Sequence, residues 1–289
     1  LQKKDKDFSR HYRFTKHYLY QLILKSLRMY YSESSVDVQL KDIIHSVKIL
    51  YKKGLFAQAK RTLGKAKRIA SKHETFLQML EILEWDKILS SALLEIKWLE
   101  KNTGRILQEE QSLLKSYQNL CQFKALQTKS FVLIREELTP RDTTHMARHE
   151  SIITDSLLSN EDNAISFKAR MAYHYIKRNY FNAKGDLHTA HNHAVKSVSL
   201  LEAKPEKISD EPKAYIIALH NLLIAQISLK KYTEFLYTHK KLRTLSFDSS
   251  LEQTELFITS SFLELAFYAA TGEFKKGIVL VNEISKGLE

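Results

Sequence analysis

The sequence predicts an all-α chain, an α-α superhelix built as a solenoid of about six antiparallel helical hairpins. Three observations lead there. Only 7 Gly and 3 Pro punctuate 289 residues, whereas sandwiches, barrels and doubly wound sheets need turn residues at short intervals. Apolar residues recur three and four apart almost throughout, with no sustained alternation at period two. One helix-to-helix junction also recurs: Gly54-x-Phe56-x-x-Ala59-x-x-x-Leu63-x-x-Ala66 returns as Gly272-x-Phe274-x-x-Gly277-x-x-x-Val281-x-x-Ile284. Weaker copies start at Gly185 (Leu187, Ala190, Ala194, Ser197) and Lys230 (Tyr232, Phe235, His239, Leu242). With further turns near Asn102-Thr103-Gly104 and Thr139-Pro140, the repeats span about 38–48 residues.

Taken in order, the expected helices run over 8–31, 36–53, 56–72, 75–101, 105–137, 141–158, 163–181, 184–203, 211–229, 232–246, 250–271 and 274–288. Ser35 and Asp37 stand at the start of the second. In the third, Phe56, Ala59, Leu63, Ala66 and Ala70 make the buried stripe, while Lys60, Arg61, Lys65, Arg68 and Lys72 form a basic patch on the other side. The stretch 75–137 holds long central helices, since one apolar seam runs unbroken from Phe76 to Leu99 and another from Ile106 to Leu120. They read as extra core or, alternatively, as a protruding coiled-coil arm. Thr139-Pro140 opens the 141 helix, and Asp210, Glu211 and Pro212 the 211 helix.

At each junction a Gly or flexible polar residue ends the first helix. An aromatic or Leu two places on fills the gap between the paired helices, and a small residue three further lets the backbones approach. This pattern resembles the tetratricopeptide repeat (TPR) family, particularly its longer-repeat bacterial members. Val47, Leu50, Gly54, Phe56, Ala59, Leu63 and Ala66 carry the resemblance, as do Leu265, Tyr268, Gly272, Phe274, Gly277, Val281 and Ile284. It implies that first helices line a concave groove. Residues 1–35 then form an N-terminal basic helix, read as the second helix of a truncated preceding repeat, and 36–289 the repeat domain. The alternative architecture is a non-repetitive helical bundle.

Residues 1–72 hold 18 Lys and Arg against 5 Asp and Glu, while the rest of the chain holds 27 against 28. Phe8, Tyr12, Phe14, Tyr18, Tyr20, Tyr30 and Tyr31 interleave with those charges. Such a quarter reads three ways: a nucleic-acid contact, a solvated face with Tyr18, Leu22, Lys25 and Met29 against the next helix, or a contact for an acidic protein. The chain opens at Leu1 on alternating charges, which reads as a piece of a longer protein.

Chemistry is sparse. Neither G-x-x-x-x-G-K-[ST] nor G-x-G-x-x-G nor G-x-S-x-G occurs. Cys121 is the single cysteine, placed in an apolar pattern (Leu120, Phe123, Leu126) that reads as a buried thiol. His145 and His149 share a helical face without the adjacent Glu of zinc peptidases. His188, His191 and His193 lack a completing carboxylate or Cys nearby in sequence. The expectation is a non-catalytic, cytoplasmic protein without metal or cofactor, a scaffold binding protein or peptide, including acidic ones; the alternative is a nucleic-acid-associated regulator. The 251–270 segment is broken by Glu252, Gln253, Glu255 and Glu264, so no membrane span is expected. Groove positions implied by the resemblance are Lys41, Lys48, Tyr51 and Lys52 on the first helix of the best repeat, and farther on His174, Tyr175, Arg178 and His220.

Overall fold

The computed structural model describes residues 2–30, 35–136, 143–247 and 250–287. Among the described residues there are thirteen α-helices, two single 3-10 turns and no strand. The helices are α1 (Gln2–Tyr30), α2 (Val36–Lys52), α3 (Phe56–His73), α4 (Phe76–Ala92), α5 (Ile96–Glu136), α6 (Thr143–Ile153), α7 (Phe167–Lys184), α8 (Leu187–Glu202), α9 (Pro205–Asp210), α10 (Pro212–Ser228), α11 (Tyr232–Arg243), α12 (Ser250–Thr271) and α13 (Phe274–Gly287). Neighbours pack in pairs: α2 with α3, α7 with α8, α10 with α11, α12 with α13. The chain forms two compact units, Leu1–Leu114 and Lys115–Glu289, and the boundary falls inside α5.

The turns are closed by the main chain. Gly54, Glu74, Leu94, Gly185, Lys230 and Gly272 all have left-handed φ, between 53° and 85°. At Gly54 the amides of Leu55 and Gly54 return to the carbonyls of Leu50 (2.9 Å) and Tyr51 (3.0 Å). At Leu94 the amides of Glu95 and Leu94 return to Ser90 (2.9 Å) and Ser91 (3.1 Å); at Lys230 those of Lys231 and Lys230 return to Gln226 (2.8 Å) and Ile227 (2.9 Å). This paired return satisfies the last carbonyls of the helix. Four of these six positions are the junctions read from the sequence.

Glu74 falls in the gap between the expected third and fourth helices, and only Leu94 corrects that reading. The first long helix ends at Ala92 rather than near Asn102-Thr103-Gly104, so the seam from Phe76 to Leu99 is interrupted by a turn at residues 93–95. Residues 102–104 lie inside α5 because their polar side chains bond within the helix, Asn102 Nδ2 to Trp98 O at 2.8 Å and Thr103 Oγ1 to Leu99 O at 2.6 Å. The expected 141–158 helix stops at Ile153, where Asp155 and Asn160 cap the 3-10 turns Ser156–Leu158 and Glu161–Asn163. Helix α7 therefore starts at Phe167, behind Ser166, whose hydroxyl accepts from Ala169 N at 3.2 Å. Asp210 ends a short unanticipated helix, α9, and only Pro212 opens α10 as expected. Thr139-Pro140 lies outside the described residues.

In the first unit the α3 stripe is as read: Ala59, Leu63, Ala66 and Ala70 are buried with Leu40, Ile44, Val47, Met79, Ile82 and Leu89, and Phe56 and Trp85 pack beside them. Helix α1 differs. Tyr18, Leu22, Lys25 and Met29 are exposed rather than laid against the next helix. In the second unit Leu219, Leu223, Leu242, Leu263 and Phe235 are fully buried. Phe235 stacks on Phe267 at 4.6 Å, filling with a ring the place that a small residue takes in α3. In α13 the equivalent stripe lies on the surface, with Phe274 66% and Val281 47% exposed, so Phe274 fills no gap between helices. Cys121 is exposed, one residue off the buried Leu120, Phe123, Leu126 and Leu133 stripe. No helix among the described residues is long and apolar enough to cross a membrane.

Candidate functional site

In the first unit three of the expected cations, Lys41, Lys48 and Lys60, are engaged by their own chain. Lys41 pairs with Asp37 at 2.5 Å and Lys48 with Glu81 at 2.7 Å. Tyr51 packs between Phe56 (5.3 Å) and Trp85 (5.5 Å). Lys52 stands exposed in the last turn of α2. Of the basic patch, Lys60 is drawn off: it pairs with Glu95, donates to Ser90 Oγ at 2.9 Å and lies 4.7 Å over Trp98. Arg61, Lys65, Arg68 and Lys72 are exposed.

The second unit brings three expected residues into one cleft of about 1010 Å³. Three helices supply stripes at helical spacing: Lys124, Gln127, Phe131 and Arg135 from α5; Lys168, Met171, Tyr175 and Arg178 from α7; Ala214, Ile217, Asn221 and Ile224 from α10, beside which stands His220. Phe167, Leu201, Ile216 and Lys207 complete much of the wall. Tyr175, Arg178 and His220 were foreseen. Lys124, Phe131, Arg135, Met171, Lys207 and Ile217 were not, although all but Lys207, which lies on α9, share a stripe that mixes apolar with cationic or amide residues every three or four positions.

Five cations line this cleft, Lys124, Arg135, Lys168, Arg178 and Lys207, against one carboxylate, Glu211, which pairs with Lys168. Arg135 lies 5.2 Å over Phe131, and Arg178 5.6 Å over Tyr175. Arg178 is set from behind: Ser130 Oγ accepts from Asn179 Nδ2 at 3.0 Å, and Asn179 Oδ1 accepts from the guanidinium. Burial presses the pKa of Arg178 below its usual value, with Tyr175 opposing. Burial, then the charge of Arg178, likewise lowers that of His220, which stacks on Phe262 at 6.2 Å.

His174 does not join the cleft. It is fully buried, shares a hydrogen bond of 3.0 Å with His193 through the two Nδ1 atoms, and meets Glu161 at 3.2 Å through Nε2. Burial pushes His193 down to about 4, helped by His174, Lys196 and Lys177 and opposed by Glu161. Sequence spacing hid this pair, because the partners lie on consecutive antiparallel helices. His149 is buried on α6, His188 is exposed and His191 buried on α8; the side chain of His145 lies outside the described residues. Among the described residues no group of three or more His, Cys, Asp and Glu is arranged to hold a metal ion. No family model, curated protein or solved structure matches the chain.

Proposed function

We propose that this protein is a non-catalytic protein- or peptide-binding module, with hairpins stacked as a TPR-like α-solenoid and the cleft of the second unit as its binding surface. One observation carries the reading: α7 and α10, first helices of successive hairpins, turn regular stripes of apolar and polar residues onto a common cleft. Such a surface holds an extended chain better than a compact metabolite, because recognition is spread over several turns of several helices. In the first unit, Lys41, Lys48 and Lys60 are neutralised by Asp37, Glu81 and Glu95. That internal pairing favours the cleft of the second unit over the α2 face as the peptide surface.

The test is display selection of twelve-residue peptides on the intact protein, followed by affinity measurements on the Ile217→Glu variant. Ile217 is a cleft residue with nearly half its surface exposed, so the variant keeps its fold. Selected peptides are expected to lose at least tenfold in affinity. A protein that selects no peptide, or whose peptides bind the variant unchanged, refutes the reading.

A further inference from the structure

The cleft holds a cation that has no counter-ion among the described residues. Arg178 Nε is shut off from solvent and has no hydrogen-bond partner. Among the described residues its guanidinium reaches only the amide oxygen of Asn179 and the face of Tyr175. No described carboxylate pairs with it. A guanidinium stays protonated in proteins, so a desolvated one carries an unfavourable charge until an anion meets it. The Ser130–Asn179 chain behind it fixes its place on α7, and His220 stands near it on α10, where it feels the charge of Arg178. Among the described residues Lys124 and Arg135 stand on the same cleft without an ion pair, and the one lining carboxylate is already engaged by Lys168. Around these cations the wall is apolar: Phe131, Ile134, Met171, Ile216 and Ile217.

We propose that the occupant of this cleft is an acidic amphipathic peptide segment, whose Asp or Glu carboxylate docks on Arg178 while flanking large apolar side chains lie along Phe131, Met171 and Ile217. The inference rests on the peptide-binding reading and specifies its chemistry. The planar fork of Arg178 suits a carboxylate in two-point contact, and Asn179 holds it so that little freedom is lost on binding. Lys124 and Arg135, nearer the rim, draw the acidic segment in and add specificity against basic peptides.

The experiment uses peptides selected on the intact protein and resynthesised with every Asp or Glu changed to the amide. Affinities are read by fluorescence anisotropy against the wild type, Arg178→Gln and Arg135→Gln, with folding checked by circular dichroism. Selected peptides are expected to place an acid beside Leu, Ile or Phe, and the amide forms to bind the wild type on the order of tenfold to a hundredfold more weakly. That penalty shrinks in Arg178→Gln, since the acid has lost its partner. If Arg178→Gln does not fold, Arg178→Lys and Arg135→Gln carry the comparison, each with a smaller acid-to-amide penalty than the wild type. Peptides that are sensitive to Ile217→Glu yet bind equally as acid and amide overturn the inference and leave the peptide-binding reading intact. An acid-to-amide penalty of the same size in folded Arg178→Gln also overturns it. A protein that selects no peptide overturns both.

Discussion

Replacing Leu94 with glycine decides between two conformations of the same stretch. If 93–95 continued the apolar helix of α4, glycine would sit in a helix interior and cost about 1 kcal/mol. In the structure Leu94 has φ 55° and its side chain is 78% exposed. A left-handed conformation costs a residue with a Cβ roughly 1–2 kcal/mol, and glycine is relieved of it at a smaller loss of chain entropy. Little burial is lost with so exposed a side chain. The expected result is a gain of about 1 kcal/mol, opposite in sign to the helical case. For a unit of 114 residues this raises the melting midpoint by roughly 3–5 °C. The assay is thermal unfolding followed by helical circular dichroism, with Lys230→Gly as a second stabilising variant and Gly54→Leu as its destabilising converse. A lowered midpoint for Leu94→Gly refutes the assigned turn.

Two further outcomes follow from buried and exposed chemistry. The His193 pKa is held near 4, below its ordinary 6.5, by burial first and by His174, Lys196 and Lys177, with Glu161 opposing. The folded state thus binds fewer protons than the unfolded one between these values, so stability is present above pH 6.5 and is lost as pH falls toward 4. A His193→Gln variant should flatten that fall, by on the order of 2 kcal/mol, in urea titrations at stepped pH; an unaltered pH profile would contradict the buried pair. Cys121 is exposed on α5, so the native protein should take up one equivalent of a thiol reagent without denaturant, monitored by mass spectrometry. Protection until unfolding would restore the buried thiol expected from its neighbours.

The sequence made the helical class and the α2–α3 hairpin readable because composition and burial spoke together there: Gly54 marks the turn, and Ala59, Leu63 and Ala66 are all buried. Legibility failed where the backbone alone makes the turn. Leu94 adopts the glycine conformation without being glycine, and its neighbour Leu93 continues the apolar spacing from Leu89 to Ile96. At Asn102 and Thr103 the error ran the other way, since turn-forming side chains bonded within a helix. The cleft was half legible. Tyr175, Arg178 and His220 came from the expected face of first helices, whereas Lys124, Phe131 and Arg135 belong to the long α5, for which no groove face was read. Lys41 and Lys48 were read as free because their partners Asp37 and Glu81 sit one turn away or on the next hairpin. The His174–His193 contact joins residues 19 apart, a separation that no single-helix pattern reports.

The ammonium of Lys60 leaves α3 to meet Ser90 and Glu95 at the bend of the following hairpin, over the ring of Trp98. Neighbouring hairpins are therefore latched by a half-sheltered charge as well as by grease. A repeat that peeled away would strand that charge without its acceptors, so fraying one hairpin at a time is penalised. Residues 56–98 are consequently set to come apart as one cooperative block.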